Sequence, residues 1–138
     1  MVAGSYTNFV GFGGQAGFTR VVPANGLIVN NNPATLPPIS MPNDMFGRGA
    51  DVRIRFQSPH KWFGGMFRVP NAGIAVNMAT FRFFQGAVLV GVAVGPVNNA
   101  AWTWHGYDLS SLGGYDRVEI LGNGGLPGYV GMDNLVAM

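Results

Sequence analysis

Two stretches of the sequence alternate apolar and polar residues with a period of two, and this pattern restricts the fold more than any other feature. Residues 51–56 read Asp-Val-Arg-Ile-Arg-Phe, and residues 115–121 read Tyr-Asp-Arg-Val-Glu-Ile-Leu. Successive side chains of a β-strand point to opposite faces, so each stretch predicts a strand with one face on a core. Residues 122–125 are rich in Gly and Asn, which tolerate positive φ, and with 128–136 they predict a C-terminal β-hairpin.

Further strands are predicted through most of the chain, at spacings near ten residues. They cover residues 27–29, 62–69, 79–84, 87–94 and 102–107. We expect 62–69 to lie beside 51–56, and Gln85-Gly86 is a two-residue hairpin signal. About eight strands without a helical period predict an all-β fold, an antiparallel β-sandwich of the jelly-roll type.

The longest apolar run is 87–94, Ala-Val-Leu-Val-Gly-Val-Ala-Val. A membrane-spanning helix needs about 20 residues, so we expect no membrane partner. The run predicts either a strand buried on both sides or a strand that lies in an interface.

The end of the chain predicts a local irregularity. Met132 and Leu135 cannot both face one side of an unbroken strand, because side chains alternate. A β-bulge at Asp133 and Asn134, stabilised by their side chains, would bring both to the core.

The length of 138 residues suits one hydrophobic core. Residues 1–20 set phenylalanines among glycines and predict an irregular N-terminal arm or an edge strand, and we expect residues 21–138 to form a single sandwich domain. Residues 33–42 are rich in proline and predict a surface loop.

Composition excludes several functions. The chain has no cysteine, so thiol chemistry and zinc–thiolate sites are absent, and we expect no cofactor. Only 10% of residues are charged and the net charge is +2. The seven arginines are spread along the sequence, so we expect neither a surface that gathers them nor a nucleic-acid partner. A single lysine beside seven arginines favours a chain that packs against other proteins, and the alternative is compositional drift in a small, Gly-rich β protein.

No arrangement of residues predicts catalysis. His105, Asp108, Ser110 and Ser111 include the residue types of a hydrolase triad, but such near neighbours in sequence rarely converge in space. His60 has no other ligand at metal-binding spacing. We expect no metal site and no enzyme.

Several segments match a known kind of domain. They are the alternating residues 51–59, the strand 62–67, the hairpin through Gly86, residues 104–107, and residues 115–120 with the Gly-Met-Asp-Asn-Leu ending at 131–135. Over about the last ninety residues, this order resembles the galactose-binding-like jelly-roll domains of exported bacterial proteins, including those with a PEP-CTERM sorting tail. The resemblance implies a jelly roll that binds carbohydrate. It also implies, as the alternative to a bulge, a calcium or ligand role for the Asp133-Asn134 pair. The sequence shows neither that tail nor a leader, so an extracellular or cell-surface location is expected only if a leader was removed.

Our main functional expectation is a non-enzymatic assembly module, such as a decoration or cement protein on a virion surface. It would form a homo-oligomer such as a trimer and bind a lattice-forming neighbour such as a major capsid protein. The predicted contact residues are Tyr6, Phe9, Phe12 and Phe18 in the arm and Leu36, Pro37, Pro38 and Met41 in the loop. The alternative for them is packing on the domain's own core.

The second expectation is a lectin-like module, as the resemblance implies. Sugar recognition combines an aromatic face with amide or carboxylate groups. The candidate residues are Trp102, Trp104, Asn98, Asn99, His105 and Asp108. The competing interpretation is that Trp102 and Trp104 share a face and fill the core.

Overall fold

The protein is described by a computed structural model. It covers the backbone of residues 4–6, 8–11, 16–20, 27–30, 44–47, 52–68, 76–123 and 130–138, and the side chains of residues 52–68, 78–122 and 130–138. Within these ranges the fold is an antiparallel β-sandwich, and the helical content is the single 3-10 turn Ser110–Leu112.

The strands, in chain order, are β1 (Gly4–Tyr6), β2 (Asn8–Gly11), β3 (Ala16–Arg20), β4 (Leu27–Asn30), β5 (Asp44–Gly47), β6 (Val52–His60), β7 (Trp62–Arg68), β8 (Val76–Gln85), β9 (Val88–Asn98), β10 (Thr103–Asp108), β11 (Tyr115–Asn123) and β12 (Val130–Ala137). Sheet A has the order β1-β4-β5-β12-β7-β10, and sheet B has the order β2-β3-β6-β11-β8-β9. The predicted all-β sandwich is therefore confirmed.

The core lies between the seven strands β6 to β12, four of them in sheet B and three in sheet A. The residues facing inward follow the period-two pattern of each strand. They include Val52, Ile54 and Phe56 of β6, Phe63 and Phe67 of β7, Phe81 and Phe83 of β8, and Val118 and Ile120 of β11. Each is at most 8% exposed. Phe67 and Phe81 meet edge to face across the two sheets at 4.9 Å, an arrangement that aromatic rings favour.

The predicted hairpin at residue 86 is confirmed. β8 and β9 pair up to Gln85 opposite Val88, so the two-residue loop is Gly86 and Ala87, one position later than expected. Gly86 has φ +59°, which glycine adopts without the steric cost of a Cβ atom.

Two expected strand neighbours are wrong. β11 and β12 do not form a hairpin, because β11 pairs with β6 and β8 in sheet B while β12 pairs with β5 and β7 in sheet A. Likewise β7 does not lie beside β6: Lys61 alone joins them, and the chain crosses to the opposite sheet. Ser58-Pro59 does not end β6, which runs to His60. Consecutive strands that change sheet in this way are typical of jelly rolls.

The apolar run at 87–94 is not buried on both sides. It forms much of β9, which ends the order of sheet B, and Val88, Val92 and Val94 are 65%, 57% and 56% exposed. The interpretation as a strand buried on both sides is wrong because, among the described residues, β9 has neither a second neighbour in the sheet nor a layer over its outer face.

The bulge predicted near the C-terminus is present. The pairing of β12 with β7 shifts register between Asp133 and Val136. Asn134 has φ 47°, and its backbone N–H donates to the Asp133 carboxylate at 2.7 Å. The extra residue turns Leu135 inward, where its Cδ2 atom occupies the space that a side chain at Gly65 would need.

The first 20 residues contribute β1, β2 and β3, and β1 and β2 end the orders of sheets A and B. Of the two alternatives predicted for residues 1–20, an irregular arm or an edge strand, the structure shows strands at the edges of the sheets. β5 was not predicted, and residues 31–43, which include the predicted Pro-rich loop, lie outside the described residues.

Candidate functional site

All three tryptophans of the chain lie at the outer face of sheet A, away from the core. Trp62 begins β7 and Trp104 lies on the neighbouring strand β10, while Trp102 precedes that strand. Trp62 is 40% exposed and Trp104 is 51% exposed. Large aromatic side chains that stay this exposed indicate a surface that binds another molecule.

Two glycines, which we call the glycine pair, lie directly beneath these indoles. Gly64 of β7 is paired with Gly106 of β10. A Cβ atom on Gly64 would lie 2.8 Å from Trp104 Cζ2, and one on Gly106 would lie 2.9 Å from Trp104 Nε1 and 3.3 Å from Trp62 Cζ3. Because neither glycine carries a side chain, both rings lie close over the strands. We call Trp62 and Trp104 over Gly64 and Gly106 the tryptophan platform.

A carboxylate lies at one end of the platform. Asp108 is paired with Trp62 across β10 and β7 and is exposed. Hydrogen bonds from the Ser110 hydroxyl, from the Ser110 backbone N–H at 2.9 Å and from the Trp62 side chain hold the pKa of Asp108 below its usual value. Asp108 is therefore a fixed, ionised acceptor at neutral pH.

Trp102 is anchored from below. The Arg68 guanidinium carbon lies 5.0 Å from the centroid of the Trp102 ring, and Arg68 is only 1% exposed. This cation–π contact fixes the Trp102 ring against the outer face of β7.

The structure brings together only part of the predicted sugar site. Trp104 and Asp108 share the outer face of β10. Asn98 is committed elsewhere, because its Oδ1 atom accepts the backbone N–H groups of Ala100 and Ala101 at 2.9 and 2.7 Å. Asn99 is half-buried in the same turn. The interpretation that Trp102 and Trp104 fill the core is wrong. Trp104 lies on the outer face of β10 and is 51% exposed, and Trp102, just before that strand, packs on Arg68 instead of joining the core cluster.

His105 points to the opposite side of β10 from Trp104. Its ring lies among Phe67, Phe81 and Tyr107, at centroid distances of 5.9, 5.5 and 6.4 Å. Its Nε2 atom is 2.9 Å from the Pro96 carbonyl oxygen on β9. His105 therefore links the edges of the two sheets, and Asp108 lies on the other face of its strand. Burial raises the pKa of Tyr107 to about 12.

Sequence reasoning missed Trp62, the second ring of the platform. The Trp-Phe-Gly-Gly pattern from residue 62 predicted only a strand. The pairing of Gly64 with Gly106, which brings the two indoles together, joins residues more than forty positions apart. The signal that sequence offered was a glycine two residues from each tryptophan on the same strand face.

The outer face of sheet B gathers charge that the sequence spreads out. Arg53 and Arg55 of β6, Arg117 of β11 and Arg82 of β8 lie on adjacent strands, with Arg53 and Arg82 both opposite Glu119 and Arg55 opposite Arg117. The expectation that no surface gathers the arginines is wrong, because cross-strand register brings four of the seven together.

The residues predicted to contact neighbouring subunits stay a prediction. Tyr6, Phe9 and Phe18 belong to β1, β2 and β3, whose side chains lie outside the described ones. The others, Phe12, Leu36, Pro37, Pro38 and Met41, lie outside the described residues.

Two absences concern only the part of the chain that the structure describes. No three His, Cys, Asp or Glu side chains there are grouped as metal ligands would be. No helix there is long and apolar enough to cross a membrane.

Comparisons with known proteins bear on the fold alone. No family model and no curated protein matches the sequence. The chain is similar in structure to a DUF4465 family protein from Bacteroides caccae, with a TM-score of 0.64 and 11% identity over 100% of this chain and 91% of that chain. At this identity the similarity supports the sandwich architecture.

Proposed function

We propose that the domain is a non-catalytic binding module that holds a neutral saccharide on the outer face of sheet A. The observation that carries this proposal is the tryptophan platform, in which two exposed indoles converge over a pair of glycines. It develops the second of the two functions that the sequence suggested, with Trp62 added to the site.

The chemistry of the platform suits a sugar ring. One face of a pyranose presents C–H groups, which pack on the face of an indole, while its hydroxyls need hydrogen-bond partners at the edge. The Asp108 carboxylate provides an acceptor beside Trp62, and its ionised state at neutral pH strengthens such bonds. The surface is pre-formed, so little conformational entropy is lost on binding.

The test is a glycan array followed by isothermal titration calorimetry with the best neutral oligosaccharide. Replacing Trp104 or Trp62 by Ala removes a stacking face, and we expect affinity to fall by about tenfold for each. Val92→Ala is the matched control, since it trims another exposed apolar side chain on the opposite sheet.

Two outcomes would contradict the proposal. One is the absence of any glycan signal above background for the wild-type chain. The other is an equal loss of affinity in Val92→Ala and Trp104→Ala, which would point to a non-specific change rather than to the platform.

The assembly function remains a second candidate, because one observation favours it. β9 ends the order of sheet B, carries no charged residue and exposes Val88, Val92 and Val94. An uncharged edge strand of eleven residues offers backbone groups and apolar side chains for pairing with another chain. A homo-oligomer, or docking on a surface lattice such as a capsid, would cover it.

Light scattering coupled to size exclusion tests this second candidate. If β9 mediates self-association, the wild-type chain is oligomeric, and Val92→Glu converts it to a monomer because a buried unpaired charge is costly. Ser111→Glu adds the same charge at another exposed site and should leave the oligomer intact. A wild-type chain that is monomeric at high concentration would exclude self-association through β9.

A further inference from the structure

The outer face of sheet B carries an arginine-rich surface that the tryptophan platform does not use. Its four arginines, which we call the arginine face, are Arg53, Arg55, Arg82 and Arg117. They lie on three adjacent strands and around one carboxylate, Glu119. Strands in a sheet are about 4.8 Å apart, so the guanidinium groups form a compact array.

The array keeps an excess of positive charge. Glu119 is 7% exposed and is satisfied by Arg53, whose Nε and Nη2 atoms both lie 3.0 Å from Glu119 Oε1. The Nε atom of Arg117 lies 3.5 Å from the same Glu119 oxygen, so Arg117 is a second cation beside this carboxylate. Arg55 and Arg82 have no ion-pair partner among the described side chains, and both are exposed. Counting Asp116, which lies beside Arg55 and Arg117, four guanidinium groups face two carboxylates, so about two positive charges are left over.

The register adds a direct like-charge pair. Arg55 and Arg117 lie opposite each other on β6 and β11. Like charges in this position destabilise a sheet, so an anion that binds between them would relieve the repulsion. Arg117 is held in place, because its guanidinium carbon lies 4.0 Å from the centroid of the Phe84 ring.

A cavity lies next to this pair. It has a volume of about 310 Å³ and is lined by Arg55, Arg117, Phe56 and Asp116 together with the turn at Gly86 and Ala87. The Asp116 Oδ2 atom accepts the Gly86 backbone N–H at 2.9 Å, which holds that carboxylate at the turn, where its charge offsets part of the positive charge of the pair. The two guanidinium groups remain the donors for an oxyanion.

We propose that the arginine face binds an acidic polysaccharide through the carboxylate or sulfate groups of neighbouring sugars. A chain that crosses the strands meets Arg55 and Arg117 about 4.8 Å apart, close to the length of one pyranose unit, and then Arg82, which lies diagonally across from Arg117 on β8. Arginine's planar fork matches carboxylate and sulfate oxygens in bidentate fashion. The face lies on the opposite side of the sandwich from the platform, so this inference does not rest on the proposed function.

The surface suits a polysaccharide better than a nucleic acid. Proteins that hold single-stranded nucleic acid stack bases on exposed aromatic rings. Among the described residues of this face, the aromatic side chain is Phe84, and its ring is covered by Arg117. The exposed tryptophans are all on the other sheet.

The experiment measures binding of the whole chain to polygalacturonate and to heparin, with neutral dextran and an oligothymidine as comparison ligands. We expect binding to at least one polyanionic glycan, weakening steeply as salt rises, and no binding to dextran. The double variant Arg55→Gln/Arg82→Gln should lose roughly tenfold or more in affinity. Both residues are exposed, so the fold should be unaffected, which thermal unfolding checks.

Lys61→Gln is the matched control, since it removes one exposed positive charge from the connection between β6 and β7. It should bind within about twofold of wild type. The proposal is overturned if neither acidic glycan binds at low salt, if Lys61→Gln loses as much affinity as the double variant, or if oligothymidine binds as tightly as the glycans. Trp104→Ala should leave this binding unchanged, so failure here and failure of the platform are distinguishable.

Discussion

The role of the glycine pair in seating the tryptophan platform can be tested by adding a single methyl group. In Gly64→Ala, the new Cβ would lie 2.8 Å from Trp104 Cζ2 and 3.1 Å from Cη2. Ordinary contact begins at 3.4 Å, so the indole has to rise by about 0.6 Å. The Cβ would also lie 3.1 Å from the His105 carbonyl oxygen, which leaves the backbone little room to absorb the change.

A displacement of this size has a calculable effect on a stacked ligand. Because Trp104 rises and Trp62 does not, a flat ligand resting on Trp104 is lifted off Trp62, and a gap of 0.5–1 Å loses roughly a quarter to a half of the dispersion energy between two surfaces. If the whole indole contributes about 1.4 kcal/mol, or tenfold in affinity, then Gly64→Ala costs about 0.35–0.7 kcal/mol. We therefore expect affinity for the neutral glycan to fall roughly two- to threefold, against about tenfold for Trp104→Ala.

Titration calorimetry measures this difference, and Gly91→Ala is the control. Gly91 lies in β9 of the other sheet, where a Cβ atom would touch the ends of two leucine side chains at 3.3 Å. It should bind glycan like wild type. If Gly64→Ala also binds like wild type while Trp104→Ala does not, then the close approach of the indole to the strands has no part in recognition. That result would refute a role for the glycine pair in ligand binding.

Three further predictions concern stability. Burial raises the pKa of Tyr107 from 10.0 to about 12 and that of Tyr115 still further. Because the folded state favours the neutral phenols, the free energy of unfolding should be unaffected below pH 10 and should fall as pH rises toward 12. Absorbance at alkaline pH should show both phenols losing their protons at a higher pH than a free tyrosine does. Tyr107→Phe should remove part of this fall, and a pH-independent stability would contradict it. Glu119→Gln breaks the ion pair with Arg53 and should lower the free energy of unfolding by about 1–3 kcal/mol in urea titrations, whereas no change would show that the pair is only a surface contact. At the bulge, Asn134→Val should destabilise the fold by about 1–2 kcal/mol because of its positive φ, and Asn134→Gly should cost much less; similar losses in both variants would locate the cost in side-chain contacts instead.

Alternation in the sequence was sufficient to predict which side chains face the core. Val52, Ile54 and Phe56 point inward as expected. The need to bury both Met132 and Leu135 correctly predicted the bulge that lies between them. These predictions depend on neighbours within a strand. They are local, and the two-residue side-chain period fixes them.

Strand pairing was harder to predict, because the same alternation suits either sheet. Nothing in residues 51–69 distinguishes a hairpin from a crossing between layers, and the single residue Lys61 makes the crossing. The Gly/Asn-rich stretch after β11 likewise has hairpin composition, yet β11 already has β6 and β8 on its two edges. Which edges remain open depends on the whole sheet, so turn chemistry alone could not decide it.

The candidate sites differ in the same way. Trp104 and Asp108 were found because they lie close together in sequence, whereas Trp62 was missed because it meets Trp104 through register with β10. The arginine face was missed for the same reason, since its members come from β6, β8 and β11. A site built across strands is visible only once the pairing is known.

The two outer faces of the sandwich are separate surfaces with opposite chemistry. The outer face of sheet A presents indoles and a carboxylate, and that of sheet B presents guanidinium groups beside an exposed apolar edge strand. A core whose aromatic residues are close to fully buried separates the two faces. A ligand on one face therefore has no contact with residues of the other face. Changes at distant sites without shared partners add in free energy. Trp104→Ala and Arg82→Gln should therefore act independently when combined, and a non-additive effect on either ligand would mean that one molecule contacts both sheets around the β9–β10 edge.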